Sequence, residues 1–323
     1  MYLIKKMGWL ILETLLFIVI FIALVAIQYY FMKFLGSTMS IWNVEKLDES
    51  TSPFTLIPSF LPVLIAFTGA AVLTYHFIMK HPFPDLGFAG RDAFILAGKG
   101  FLLSAVLIIP GFLIMVISGQ VKLLPISFNP AYFIGFLIFF FIQSSAEEVF
   151  TRAYLIPTFE GKLGTWIAII VSSSLFGIMH VGNDNFTWIG FFNIVLGGWL
   201  MALLFIYYRN IWICAGFHTG WNFIQATLFD FNVSGVDVYS LIQFQDIGYA
   251  NITGSHFGYE GSLISIIALI LALILMFKKM NFVFKPLVWK APVPNESNED
   301  QFMGDSTAIE TGNGKNKSEQ ESI

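Results

Sequence analysis

Eight apolar stretches, each about long enough to cross a lipid bilayer, dominate this sequence. They lie at roughly residues 8–32, 54–79, 97–118, 130–155, 163–182, 187–208, 211–229 and 261–277. A membrane-spanning helix needs about 20 mostly apolar residues, because lipid offers no partners to backbone N–H and C=O groups. The chain is also 56% hydrophobic, with 36 phenylalanines among 323 residues, which is more apolar surface than a water-facing fold can bury. The sequence predicts an all-α, polytopic integral membrane helical bundle of about eight transmembrane helices.

The two ends of the chain have different compositions. The apolar run that follows Lys5 and Lys6 is too long for the core of a signal peptide, so we expect a retained first span. Residues 291–323 carry seven acidic residues against two lysines and are rich in Asn, Ser and Gly. This composition is typical of disorder and offers no basic surface for a nucleic acid. We therefore predict a transmembrane domain over residues 1–290 and a disordered acidic, polar cytoplasmic tail over 291–323, with no nucleic-acid partner.

The distribution of lysine and arginine predicts the orientation. Eight spans put both termini on one side, and basic residues concentrate on the cytoplasmic side of a membrane. The terminal side would carry Lys5, Lys6, Lys80, Arg91, Lys99, Arg152, Lys162, Arg209, Lys278, Lys279, Lys285, Lys290, Lys315 and Lys317, and the opposite side Lys33, Lys46 and Lys122. Fourteen against three predicts cytoplasmic termini in a multi-pass plasma-membrane protein. The loop at about 230–260, with four acidic residues and no lysine or arginine, agrees.

Polar side chains interrupt three of the predicted spans. They are Glu147, Glu148 and Arg152 in span four, Phe176 and His180 near the end of span five, and His218 and Asn222 in span seven. Ionisable groups within lipid are costly unless they are paired or face a cavity, so each group marks a candidate functional site. Glu148 and Arg152 are four residues apart and share a helix face, whereas Glu147 points about 100° away.

Each of these side chains also has a structural interpretation. Glu148 and Arg152 are expected mainly to form an intramembrane ion pair that fixes helix packing. His180 or His218 alone would be an interhelical hydrogen-bonding residue, and Asn222 alone would hold two helices together. The coincidence of a free carboxylate, two histidines and an asparagine on three spans favours a shared chemical site instead.

Such a site suits hydrolysis of an amide bond. The reaction needs a base for water, a proton for the leaving amine and donors for the oxyanion. A zinc ion held by Glu147, His180 and His218 is the main alternative, because two imidazoles and a carboxylate form an acceptable open zinc set. The sequence contains no HExxH motif, no aspartate within a predicted span and no serine in a GxSx setting, which disfavours three other intramembrane protease designs.

The three clusters form the ordered motifs EExxxR, FxxxH and HxxxN. In this respect the chain resembles the CPBP family of intramembrane glutamic endopeptidases, the CAAX proteases and bacteriocin-processing or Abi proteins, over about residues 130–230. The resemblance implies a transmembrane protease without an essential metal or other cofactor. It implies that Glu147 and His180 activate water and that His218 and Asn222 stabilise the oxyanion. Glu148, Arg152 and Phe176 would hold the site together.

The predicted function is therefore cleavage of a peptide or a small membrane-associated protein. In the setting that the family suggests, a bacteriocin leader, a pheromone precursor or a regulator is a better expected substrate than a prenylated tail. A non-proteolytic bacteriocin self-immunity or membrane scaffold protein of the same fold is the alternative, and a transporter is a weaker one.

One geometric expectation conflicts with a shared site. A straight span beginning at residue 163 would place His180 about 25 Å along its axis, closer to the outer surface than Glu147.

Overall fold

A computed structural model of the chain describes residues 2–34 and 52–280 and shows a bundle of apolar helices. The helices are α1 (Tyr2–Phe34), α2 (Pro53–Ala71), α3 (Ala93–Ile117), α4 (Pro130–Glu148), α5 (Leu155–Leu163), α6 (Thr165–Ile178), α7 (Trp188–Tyr208), α8 (Ile211–Phe223), the short α9 (Ala250–Thr253) and α10 (Leu263–Lys279). Turns of π-helix continue α2 over Val72–Ile78, join α4 to α5 over Val149–Tyr154 and continue α8 over Ile224–Leu228. Short 3₁₀ turns occur at Phe83–Leu86, Ser255–Phe257 and Tyr259–Gly261. The prediction of an all-α membrane bundle is confirmed.

Five helical stretches of the described chain are long and apolar enough to cross a membrane. They are Met7–Tyr30, Pro53–Ile78, Ala93–Ile117, Pro130–Leu163 and Trp188–Tyr208. The other three predicted spans correspond to shorter helices: α6 has 14 residues, α8 has 13 and α10 has 17. Span four, predicted to end near residue 155, instead continues through the π turn and α5 to Leu163. The predicted tail at 291–323 lies outside the described residues.

Small residues bring α8 close to α3. A Cβ atom added to Gly216 would lie 2.1 Å from the carbonyl oxygen of Ala97, and one added to Gly220 would lie 2.2 Å from Oγ of Ser104. Glycines at a helix interface allow the two backbones to approach, which is the usual basis of helix association in lipid. This contact fixes the position of α8, the helix that carries His218.

The connections on one side of the bundle pack together, and we call this side the loop face, comprising residues 118–129, 179–187 and 229–262. Strand β1 (Val121–Leu123) pairs antiparallel with strand β2 (Phe244–Asp246) within it. The backbone N–H of Ser127 donates to the carbonyl oxygen of Leu241, which extends the contact between the first and third of these segments. The loop face therefore covers one end of the helices as a continuous layer.

Candidate active site

The three motif-bearing helices line one cavity of about 350 Å³ in the interior of the bundle. Its lining includes all four residues predicted to be catalytic, namely Glu147 of α4, His180 after α6, and His218 and Asn222 of α8. Phe176 also lines the cavity, whereas Glu148 and Arg152 do not appear in its wall. The structure thus brings together side chains that are separated by up to 75 positions in the sequence.

Glu147 faces both histidines across the cavity. Its Oε2 atom lies 4.0 Å from Nε2 of His180 and 3.9 Å from Nε2 of His218. These separations are too long for direct hydrogen bonds. The same oxygen is buried and has no hydrogen-bond partner among the described residues. A carboxylate oxygen is therefore available for a ligand or water between the three side chains.

The hydrogen bonds of the two imidazole rings determine which nitrogen faces Glu147. Nδ1 of His180 lies 2.7 Å from the carbonyl oxygen of Phe176, which can only accept, so Nδ1 carries the proton. Nδ1 of His218 lies 2.9 Å from Oε1 of Glu148 and donates to that carboxylate. Both rings consequently direct Nε2 towards the cavity, where it accepts in a neutral ring and donates in an imidazolium.

The position of His180 differs from the expectation for a straight span. Helix α6 ends at Ile178, and His180 lies in the turn that follows, with its backbone N–H donating to Gly177. Its side chain reaches back along the helix to Phe176, as helical side chains do because their Cα–Cβ bonds tilt towards the N-terminus. Because α5 ends at Leu163, Glu147 lies 17 residues before the turn at Gly164 and His180 lies 16 residues after it. At about 1.5 Å per residue, the two side chains therefore reach a similar depth.

Gln143 links Glu147 to Asn222 and was not singled out from the sequence. Its Nε2 donates a hydrogen bond to Oε1 of Glu147, and its Oε1 accepts one of 2.9 Å from Nδ2 of Asn222. Oε1 of Glu147 is therefore held, and Oε2 is left to face the histidines. The available signal was spacing, because Gln143 precedes Glu147 by one helical turn.

Glu148 and Arg152 form a fully buried pair behind the cavity wall. Nη1 of Arg152 donates to Oε1 of Glu148 at 2.9 Å, and both side chains have no exposed surface. Nη2 of Arg152 donates to the carbonyl oxygen of Gly198, and the guanidinium lies 4.5 Å from the ring centre of Phe176. This pair joins α4 to α7 and also holds His218 through the shared Glu148 oxygen.

Phe176 connects the buried pair with both histidines. Its ring packs edge-on against His180, with centroids 4.9 Å apart, and against His218, with centroids 5.5 Å apart. Arg152 covers the same ring at 4.5 Å. The first residue of the FxxxH motif therefore supports the orientation of both imidazoles through packing.

A second carboxylate in the cavity wall, Glu260, was given no role in the sequence interpretation. It lies on the loop face, where its Oε1 accepts from Nε1 of Trp221 at 3.0 Å and its Oε2 accepts from Oγ of Ser234 at 2.6 Å. Gln225 also donates to Oε1 at 3.3 Å. No spacing signal links Glu260 to Trp221, since the contact forms only when the loop face packs on α8.

Within residues 2–34 and 52–280, no group of three or more His, Cys, Asp or Glu side chains is arranged to hold a metal ion. Zinc ligands lie about 2.0–2.2 Å from the ion. The zinc set of Glu147, His180 and His218 would need its three side chains to close around an ion at those distances.

The comparison with protein families agrees with the geometry. Residues 129–224 match the family described as Type II CAAX prenyl endopeptidase Rce1-like. No curated protein matches the chain. The matched range contains all three motifs and nearly coincides with the region of resemblance predicted at 130–230. It supports peptidase activity of the CAAX type in general terms. Over its motif core, residues 129–224, this membrane protein is similar to the CAAX proteases.

Proposed function

We propose that this protein is an intramembrane glutamic endopeptidase that hydrolyses a peptide bond in a membrane-associated peptide or protein. One observation carries the proposal: Oε2 of Glu147 is buried, lacks a hydrogen-bond partner in the described chain, and faces Nε2 of two histidines at 3.9 to 4.0 Å. An unpaired carboxylate oxygen inside a membrane bundle is energetically costly. Its presence in a cavity therefore marks a candidate functional site.

In the proposed reaction, Glu147 and His180 bind and activate the attacking water. A separation of 4.0 Å between two polar atoms is suited to one water molecule bonded to both. As the water oxygen attacks the carbonyl carbon, Glu147 takes a proton from it. The carboxyl then gives that proton to the amide nitrogen as the C–N bond breaks, which restores the carboxylate.

His218 and Asn222 are proposed to stabilise the oxyanion of the tetrahedral intermediate. The carboxylate of Glu148 beside Nδ1 stabilises a positive charge on the His218 ring, which then donates from Nε2. Asn222 uses one amide hydrogen towards Gln143 and keeps the second for the oxyanion. Fixed donors of this kind stabilise developing charge without reorganising during the reaction.

Glu147→Gln tests the proposed base. The amide keeps the shape of the side chain but cannot take a proton, so we expect the rate of peptide cleavage to fall by at least about 100-fold. The assay uses purified protein in lipid nanodiscs with a library of quenched fluorescent peptides, and mass spectrometry identifies the products. Glu13→Gln is the matched control, because Glu13 lies on α1 and is not part of the cavity wall. Cleavage retained in Glu147→Gln would remove Glu147 from the mechanism.

Chelation separates the metal-free mechanism from the zinc alternative. The proposed reaction derives its base and donors from side chains alone, so we expect the same cleavage rate before and after dialysis against a strong chelator. Loss of cleavage that added zinc restores would instead support a zinc site at Glu147, His180 and His218. The parent protein dialysed in parallel against buffer without chelator controls for damage during dialysis.

A further inference from the structure

The cavity that holds Glu147 opens at the loop face. Its lining continues outwards to Met179 and Asn183 after α6 and to Val236 in the segment before α10. Met179 is 43% exposed and Val236 is 49% exposed, whereas Phe217 at the inner end is 1% exposed. The described connections at the other end of the bundle contribute no lining residue. Met179, Asn183 and Val236 therefore form the mouth of the site.

Basic residues are distributed unequally between the two ends of the bundle. The described part of the loop face contains one basic residue, Lys122, and five acidic ones: Asp184, Asp230, Asp237, Asp246 and Glu260. The described connections and helix ends on the opposite side include six lysine or arginine residues: Lys80, Arg91, Lys162, Arg209, Lys278 and Lys279. An excess of lysine and arginine marks the cytoplasmic side of a membrane protein. This distribution places the loop face, and the mouth within it, on the extracytoplasmic side.

Two of the acidic side chains flank the mouth directly. Asp184 follows Asn183 in the sequence, and Asp237 lies between Val236 and Val238, both of which line the cavity. Asp184 and Asp237 are exposed, so they face an approaching ligand. Negative charge around an entrance attracts cationic ligands and repels anionic ones, over about 10 Å at moderate ionic strength.

We propose that the substrate enters from the extracytoplasmic side and carries a basic segment next to the bond that is cleaved. The substrate would be a peptide or a membrane-anchored protein whose cleaved segment has already crossed the membrane. Cleavage of the entering peptide rests on the proposed peptidase function. The side of the membrane on which the mouth opens is independent of that function.

Cysteine labelling in intact cells tests the side. The one native cysteine, Cys214, is first replaced by alanine, because this buried thiol would also be labelled in denaturant. Each introduced cysteine is then the only thiol of the protein. Val236→Cys places a thiol in the mouth, and Ser127→Cys places one on the loop face away from it. Gly161→Cys is the control at the opposite end, where an added Cβ meets nothing within 4 Å. Cells are treated with a membrane-impermeant maleimide, and the remaining thiols are labelled after lysis in denaturant.

We expect the impermeant maleimide to react with Val236→Cys and Ser127→Cys in intact cells, so these variants should show no labelling after lysis. Gly161→Cys should be labelled fully after lysis. Protection of Gly161→Cys alone would overturn the proposed side. A Val236→Cys thiol that does not react in the folded protein, while Ser127→Cys does, would overturn the open mouth. Because labelling needs no catalysis, its result is independent of whether Glu147→Gln abolishes cleavage.

Peptide binding tests the charge. Two fluorescent peptides of the same core sequence, flanked by lysines or by glutamates, are titrated against the Glu147→Gln protein in nanodiscs. We expect tighter binding of the lysine-flanked peptide, weakened about two- to tenfold by the double change Asp184→Asn and Asp237→Asn and by high salt. Asp92→Asn, at the other end of the bundle, is the matched control and should have no effect. Equal binding of both peptides, or a preference that survives the double change, would overturn the basic substrate.

Discussion

The adjacent residues Glu147 and Glu148 lie in two regions of the site that are built differently. On the side of Glu148, Arg152 and His218 both donate to one carboxylate oxygen, and the ion pair has no exposed surface. Each carboxylate has one buried oxygen without a hydrogen-bond partner among the described residues. On the side of Glu147, Gln143 holds the other oxygen and the unpartnered one faces two histidines across the cavity, whereas Glu148 is absent from the cavity wall. The comparison shows how a membrane bundle separates support from chemistry. Glu148 joins helices through its ion pair with Arg152, and Glu147 is the carboxylate that we propose to react.

Arg152→Met should disrupt the buried ion pair on the side of Glu148. We expect it to lower the free energy of unfolding more than substitutions at Glu148, Glu147 or Gln143. The substitution removes the guanidinium and leaves the buried carboxylate of Glu148 without its cation, which typically costs about 3–5 kcal/mol. The free energy of unfolding, measured by titration with SDS in mixed micelles, should fall by that amount. Arg91→Met, at an exposed position, is the control and should change it by less than about 0.5 kcal/mol. Equal stability of the two variants would contradict a structural role for the pair.

Glu148→Gln and Glu147→Gln compare the two sides with one chemical change. The first weakens hydrogen bonds from two cationic or potentially cationic donors, so we expect a loss of about 1–3 kcal/mol in stability. The second changes a side chain that makes no hydrogen bond to Arg152 or to a histidine, so the melting temperature in detergent should stay close to that of the parent protein. Greater destabilisation by Glu147→Gln than by Glu148→Gln would reverse the assignment of the two regions.

Gln143→Leu should have the smallest effect of these changes and should act on the reactive side only. It removes the amide that holds Glu147 and accepts from Asn222, contacts worth about 1 kcal/mol each. We expect the kcat/KM of peptide cleavage to fall roughly five- to thirtyfold, because that loss converts at about 1.4 kcal/mol per factor of ten. The melting temperature should fall less than in Arg152→Met, because these two hydrogen bonds are worth less than the buried ion pair. Gln28→Leu, on α1, provides the same substitution outside the cavity and should leave cleavage unchanged.

The membrane fold and the motif core could be predicted because their signals are local. A run of apolar residues must become a helix in lipid wherever it stands. The four-residue spacing of Glu148 and Arg152 likewise specifies a shared face without reference to the rest of the chain, and the structure shows their contact at 2.9 Å. The catalytic roles of Glu147, His180, His218 and Asn222 stay predictions, although the structure brings all four side chains to one cavity.

Tertiary packing determined what spacing could not. The depth of His180 relative to Glu147 depended on where α5 ends, at Leu163, and helix boundaries have weak sequence signals. The contact of Gln143 with Asn222 joins α4 to α8, and its formation requires the close approach of these helices. Glu260 reaches the cavity only through the folding of the loop face over α8.

By itself, the sequence determined that this chain forms a membrane bundle with two carboxylates, two histidines and an asparagine within its core. The cost of exposing apolar surface to water and ionised groups to lipid decides these features from residue type and order alone. Only the tertiary structure decided which of the two carboxylates lines the cavity, which nitrogen of each histidine faces it, and at which end of the bundle the cavity opens. Those features depend on contacts between residues far apart in the chain, which form only when the helices pack.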